Sequence, residues 1–151
     1  MGLLHFLKGK VVFIGIGNPL RGDDGFGPLL VQKLQGQVSA VCLDAGNAPE
    51  TYVGKIIKEK PDTIVLLDVV HLGLAPGEYA VLQKEDILKT GFTTHDLSPN
   101  MLIQYLESQT AAAIYLLGVQ PQTTEFGAEM SESVAKALDN LVVKIKEALD
   151  A

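Results

Sequence analysis

A buried-strand pattern that runs directly into a glycine-rich, acidic turn is the feature of this sequence that most constrains its fold. Residues 10–16 are mostly apolar and β-branched or aromatic, which predicts a first strand covered on both faces. The adjacent acids Asp23 and Asp24 follow among several glycines, and glycine lets the backbone turn sharply and approach a ligand closely. Because α/β sheets bind ligands beyond the carboxyl ends of their strands, Asp23 and Asp24 are the first candidates for chemistry.

The rest of the sequence alternates strand and helix patterns. Further strands are predicted over residues 38–44, 63–70, 78–83 and 111–119. Helices are predicted over residues 28–34, 50–60 and 84–88, from Ser98–Pro99 onward, and from Ser131 onward. The last two helices carry apolar stripes that we expect to face the core: Met101, Leu102, Tyr105 and Leu106 in one, and Val134, Leu138, Leu141, Ile145 and Leu149 in the other.

The order of these elements predicts the architecture. The link over residues 71–77 is too short for a parallel crossover, which takes a dozen or more residues, so we expect the fourth strand to pair antiparallel. Alternating strands and helices otherwise favour parallel pairing with helices on both faces. The prediction is a single domain over residues 1–151, an α/β fold in which a five-stranded, mostly parallel sheet lies inside a three-layer α/β/α sandwich.

Composition and net charge limit the classes of partner and compartment that we expect for this chain. The chain has 151 residues, 47% of them hydrophobic, which is enough for one domain with a sizeable core. A net charge of −6 with scattered lysines argues against nucleic acid and anionic membranes as partners, and no apolar run approaches the roughly 18 residues of a membrane span. The single cysteine, Cys42, rules out an internal disulfide framework and fits a reducing compartment. We expect a cytoplasmic monomer.

Three acids come at or after the ends of predicted parallel strands, namely Asp24, Asp44 and Asp68. A single carboxylate in such a position is often only a helix cap or a loop hydrogen-bond acceptor, but parallel strands bring all three to one edge of the sheet. His95, in a polar loop, adds an imidazole. Carboxylates with an imidazole suit a borderline divalent metal such as nickel or zinc, and Asp24, Asp68 and His95 are the expected ligands.

Several other readings of these residues are open. His71, after the third strand, is a competing metal ligand, whereas Cys42 between two apolar residues is typical of a small core side chain. The pair Gly15 and Gly17 suggests a dinucleotide site, but Leu20 stands at the third position of that fingerprint. A receiver-like phosphoacceptor signalling domain would use the same acids to hold Mg²⁺, although residues 115–121 lack the lysine that such a domain needs.

Five motifs in order resemble those of the [NiFe]-hydrogenase maturation endopeptidases. They are residues 15–27 (GIGNPLRGDDGFG), 44–50 (DAGNAPE), 67–69 (LDV), 76–78 (PGE) and 93–95 (TTH). Residues 94–99 and 117–121 most resemble the branch that serves formate-hydrogenlyase-type hydrogenases, the hydrogenase 3 type. The resemblance spans most of the chain and implies a phosphorylase/hydrolase-like fold.

The resemblance also implies an activity and a set of site residues. Members of the family remove a C-terminal extension from the hydrogenase large-subunit precursor once nickel, supplied by the substrate's own active site, is in place. The family's nickel-binding positions fall on Asp24, Asp68 and His95, and Asp44 matches a further acid tied to cleavage. The positions that shape the surrounding cleft are Gly17, Asn18 and Asp23. The sequence departs from the family pattern at His71, where many members carry an acid.

Overall fold

The computed structural model describes residues 4–89 and 99–150. Within these two ranges the strands are β1 (Val11–Ile16), β2 (Val41–Gly46), β3 (Thr63–Val69), β4 (Tyr79–Leu82) and β5 (Ala113–Val119). The helices in the same ranges are α1 (Phe26–Leu34), α2 (Val53–Lys58), α3 (Lys84–Lys89), α4 (Pro99–Gln109) and α5 (Glu132–Asp150). Short 3-10 turns at Gly22–Gly25 and Pro49–Tyr52 lead into α1 and α2.

The strands form one mixed sheet in the order β2-β1-β3-β5-β4. Pairing is parallel between β1 and β2, β1 and β3, and β3 and β5, while β4 runs antiparallel to β5. After β1 the chain continues to β2, which lies on one side of β1 in the sheet. After β3 it continues to β4 and β5, which lie on the opposite side of the sheet. The topological switch point, where ligands bind in open α/β sheets, therefore lies between the carboxyl ends of β1 and β3.

Helices cover both faces of the sheet, and this confirms the predicted sandwich. On one face, α1 and α5 pack over alternate residues of the central strands such as Phe13, Val65 and Leu67. On the other face, residues of α2, α3 and α4 pack over the intervening strand residues such as Ile14 and Leu66. Strand side chains alternate between faces, so β1 and β3 contribute to both cores.

Two strands begin two or three residues later than their apolar patterns predict. The predicted strand over 38–44 is observed as Val41–Gly46, and the one over 111–119 begins at Ala113. In each case the first residue pairs with the start of a neighbouring strand, Val41 with Val12 and Ala113 with Thr63. An apolar run beyond the end of its partner has no backbone groups to bond and is not a strand.

Three helices also differ from the predictions. Helix α1 begins at Phe26, two residues before the predicted start at Pro28. The helix expected over 50–60 begins as a 3-10 turn, and α2 ends at Lys58, two residues before Lys60 takes the left-handed φ of +51°. The buried stripe of α4 is the predicted one only in part. Leu102, Ile103 and Leu106 face the core, whereas Met101 is 58% exposed and Tyr105 54% exposed. The stripe expected on α5 is confirmed for Val134, Leu138, Leu141 and Ile145, which are all buried.

None of the helices within the described ranges is long and apolar enough to cross a bilayer.

Candidate active site

The acidic segment that the sequence placed in a loop is a helical turn at the switch point. Asp23 and Asp24 lie in the 3-10 turn Gly22–Gly25, which runs directly into α1 and approaches β3. Asp24 is 7% exposed, and its carboxylate accepts a hydrogen bond of 2.8 Å from the backbone N–H of Asn18. The Asn18 side chain in turn accepts a bond of 2.9 Å from the N–H of Leu20. Residues 18–24 therefore fold around the Asp24 carboxylate.

Gly17 allows this turn to close. Its φ of +140° favours glycine, and a Cβ at this position would overlap the carbonyl oxygen of Asp24. The Gly17 N–H donates 2.9 Å to the carbonyl of Gly46 at the end of β2. The end of β1 is thus fixed to β2 on one side and lies against the Asp24 turn on the other.

Asp68 lies near the carboxyl end of β3, beside this turn. It is fully buried, and its Oδ1 accepts a bond of 2.7 Å from the N–H of Val69. In the alternation of β3, Asp68 has the parity of Ile64 and Leu66, which face α2 and α4. A carboxylate is rarely buried in a core without a specific reason, so a buried Asp68 at the switch point marks a candidate functional group.

Asp44 lies at the same edge on β2, which is two strands from β3, and it is exposed. Its side chain accepts a long bond of 3.4 Å from Gln32 of α1 and one of 3.2 Å from the N–H of Gly46. The bond from Gln32 places Asp44 on the α1 face, opposite the face to which Asp68 belongs by parity. The structure therefore brings Asp24, Asp44 and Asp68 to one edge of the sheet, as predicted, but in different environments.

Asp23 is saturated by hydrogen bonds from the segment that follows β5. It is fully buried, and its carboxylate accepts bonds from the N–H groups of Gln122 (2.7 Å), Thr123 (3.1 Å) and Ser131 (2.7 Å), and from the Ser131 hydroxyl (2.9 Å). Ser131 also accepts a bond of 3.4 Å from Val134 in the first turn of α5. Asp23 therefore binds the 120–131 loop and the start of α5 to the acidic turn.

Sequence reasoning missed Ser131, Gln122 and Thr123 as parts of this edge. Their partner lies 99 to 108 residues away in the chain, and nothing local in 120–131 indicates it. The only available signal was the doubled acid itself, since two adjacent carboxylates rarely point the same way.

His95 falls outside the described residues, so its predicted place in the site stays a prediction. His71 is exposed in the segment after β3. Within residues 4–89 and 99–150, no three His, Cys, Asp or Glu side chains lie close enough together to hold a metal ion. The predicted nickel trio includes His95 and therefore lies partly outside these ranges.

Cys42 has the character of a core side chain rather than a nucleophile. It is half-buried and packs against the α1 and α5 core. Burial raises the pKa of its thiol to about 11. Because the thiolate is the reactive form, Cys42 is a poor nucleophile at neutral pH, as the sequence predicts.

Known proteins similar to this chain are consistent with the geometry. The sequence matches the family described as hydrogenase maturation protease, HycI, over residues 28–148. The hydrogenase 3 maturation protease of Escherichia coli K12 is 31% identical over 138 residues, which cover 89% of this chain and 88% of that protein. A putative hydrogenase maturation protease of Methanocaldococcus jannaschii is 30% identical, over 98% of this chain and 94% of its own length.

Solved structures agree in fold over nearly the whole chain. The crystal structure of a [NiFe] hydrogenase maturation protease from Thermococcus kodakarensis superposes with a TM-score of 0.91 at 35% identity, covering 99% of this chain and 100% of that one. The solution structure of an Escherichia coli HycI endopeptidase has a TM-score of 0.83 at 30% identity, with 92% and 90% covered.

The receiver-like alternative has no support. Flavodoxin-like receiver domains have a parallel sheet in the order 2-1-3-4-5. This chain has β5 between β3 and β4, and β4 is antiparallel.

Proposed function

The chain belongs to the hydrogenase maturation protease family, and from that premise we propose that it removes the C-terminal extension of a [NiFe]-hydrogenase large-subunit precursor after nickel insertion. The observation that carries the proposal is the buried Asp24 carboxylate, built into a turn at the switch point beside the β3 end that holds Asp68. The client is the precursor polypeptide, and its own nickel is part of what the enzyme recognises.

The nickel ion of the precursor docks on Asp24, Asp68 and His95. Two carboxylates and an imidazole are a donor set that suits a borderline divalent metal. The burial of both carboxylates supports this assignment, because a cation offsets the free-energy cost of burying an anion. His95 is assigned by the family motif alone. Cleavage then depends on metal insertion, since an empty precursor lacks the ion that these side chains bind.

Asp24, Asp68 and His95 would hold the nickel, and the nickel would supply Lewis-acid chemistry there, by polarising the scissile carbonyl or by lowering the pKa of an attacking water. Asp44 is exposed at the same edge with only long hydrogen bonds, and we assign it to the cleavage step rather than to metal binding. Gly17, Asn18 and Asp23 shape the cleft through the contacts described above. We expect the enzyme to act as a monomer in the cytoplasm, and its single cysteine fits that reducing compartment.

The test is to mix the protein with nickel-loaded and with nickel-free precursor and to compare product masses. We expect cleavage of the loaded precursor only. Asp24→Ala, Asp68→Ala and His95→Ala should each abolish processing while far-UV circular dichroism stays unchanged.

The matched control is Asp139→Ala, because Asp139 is an exposed acid on α5 with a side chain 73% accessible. It should process precursor at the wild-type rate. Wild-type processing by the Asp24, Asp68 or His95 variant would refute the metal assignment, and equal cleavage of nickel-free precursor would refute the dependence on metal.

A further inference from the structure

Two large apolar side chains stand exposed on the loops that border the Asp24 turn. Leu20 is 63% exposed and Phe126 is 72% exposed, and the exposed Arg21 lies between Leu20 and the acids. We refer to Leu20, Arg21 and Phe126 as the rim patch. We propose that the rim patch is the docking surface for the precursor polypeptide that enters the site, an inference that rests on the proposed function and deepens it.

Backbone hydrogen bonds join the two loops of the rim patch. The N–H of Gly127 donates 2.8 Å to the carbonyl of Leu20, directly beside Phe126. Two further bonds join the same segments, from Gly22 to the carbonyl of Ala128 (3.1 Å) and from Asp23 to the carbonyl of Thr123 (2.8 Å). Leu20 and Phe126 are therefore held close together, although they lie 106 residues apart in the sequence.

The same bonds make the rim patch continuous with the acidic turn. Leu20 donates its N–H to Asn18, and Asn18 donates its own N–H to Asp24. The four hydrogen bonds to the Asp23 carboxylate hold the other loop. A polypeptide bound at Asp24 would therefore lie beside this border. The hydrogen bonds also preorganise the border, which lowers the entropy cost that binding must offset.

The chemistry of the rim patch fits a protein partner. Aromatic residues and arginine are enriched at the energetic centres of protein interfaces. Arg21 is the one arginine of a chain with net charge −6, and across residues 4–89 and 99–150 its side chain makes no ion pair. Its guanidinium is thus available to a carboxylate or to main-chain carbonyl oxygens. The expected occupant is an extended segment of the precursor that has an apolar side chain beside such oxygens.

The experiment compares steady-state processing of nickel-loaded precursor by Leu20→Ser and Phe126→Ser with wild type. Since neither side chain is buried, both variants should fold normally. We expect KM to rise about tenfold or more with kcat within about twofold, because the docking contact is made equally in the ground state and in the transition state. Arg21→Ala should also raise KM, and its effect should weaken at high salt.

Val143→Ser is the matched control. Val143 is 54% exposed on α5 and lies eleven residues, or roughly 17 Å of helix, beyond the helix start near Asp23. It should leave KM unchanged. An unchanged KM in Phe126→Ser and Leu20→Ser, with wild type processing normally, overturns the docking proposal and leaves the proposed function standing. If wild type itself fails to process loaded precursor, the proposed function fails first.

A second copy of the chain is the competing occupant. Sedimentation of the wild type at high concentration should show a monomer. A dimer that Phe126→Ser dissociates would assign the rim patch to self-association and would overturn the proposal.

Discussion

Asp23 and Asp24 are neighbours in sequence, yet their carboxylates have different partners. Asp23 accepts four hydrogen bonds from the 120–131 loop and the start of α5. Asp24 accepts one, from the turn that it organises. One acid thus serves as a structural clamp, and its neighbour keeps acceptor capacity for a ligand. The family motif implies that Asp23 shapes the cleft and that Asp24 holds the metal, and both roles stay predictions.

Gly17→Ala is the sharpest single-residue test of how the turn is built. Alanine at a φ of +140° is strained, and its Cβ would overlap the Asp24 carbonyl. We expect a loss of about 2 kcal/mol in the free energy of unfolding, measured by urea denaturation, together with a strong loss of precursor processing as Asp24 shifts.

The control for this variant is Gly54→Ala in α2, where a Cβ would meet nothing within 4 Å. Alanine has the higher helix propensity, so this variant should be neutral or more stable by up to about 1 kcal/mol. Equal free energies of unfolding for the two variants would show that the close approach of the Asp24 carbonyl does not restrict position 17 to glycine.

At the scale of elements, helix α4 shows how far a periodic pattern can be trusted. The pattern 101, 102, 105, 106 and the observed stripe 102, 103, 106 are both compatible with helical spacing. The two stripes are related by a rotation about the helix axis of roughly 100°, the angle between one residue and the next. Apolar residues on both sides of the stripe left the choice to packing, and Ile103 packs in the core with Leu102 and Leu106.

Paired substitutions in α4 test this rotation. Ile103→Ala removes a side chain that belongs to the observed stripe alone and is 2% exposed, and it should lower the free energy of unfolding by about 2 to 5 kcal/mol. Tyr105→Ala removes a side chain that is 54% exposed and should change it by no more than about 0.5 kcal/mol. Thermal or urea unfolding measures both, and a larger loss for Tyr105→Ala would show that the face of α4 with Tyr105 packs in the core.

At the scale of the whole molecule, the two cores share one sheet. Strands β1 and β3 supply Phe13 and Val65 to one core and Ile14 and Leu66 to the other. Asp23 also connects the first acidic turn to the last helix. Because both cores pack on the same sheet, disruption of one core also disrupts the other. We therefore expect the chain to unfold as one cooperative unit, as a single domain over residues 1–151 would.

Cooperative unfolding can be measured with two probes. Tyrosine fluorescence reports on tertiary packing, since the chain has four tyrosines and no tryptophan, and far-UV circular dichroism reports on the helices. The two urea transitions should coincide in midpoint and slope. Separate midpoints would show that part of the sandwich is an independent unit.

Most of the architecture was predictable because it is encoded locally. Strand and helix periodicity gave the order of the elements, and the short 71–77 link predicted the antiparallel β4. The positions of Asp24, Asp44 and Asp68 at one edge followed from parallel pairing alone. The motifs also pointed to the family that the comparisons establish.

The sequence by itself determined the element order, the sheet direction of β4 and the edge at which the acids gather, since each depends on spacing within a few residues or on the length of one link. Only the tertiary structure decided where β2 and β5 begin, which face of α4 is buried and which of two adjacent acids is the clamp. Those outcomes depend on partners distant in the chain, such as Ser131 for Asp23 and Val12 for Val41. A hydrogen bond or a packing contact between distant segments leaves no periodic trace in either segment.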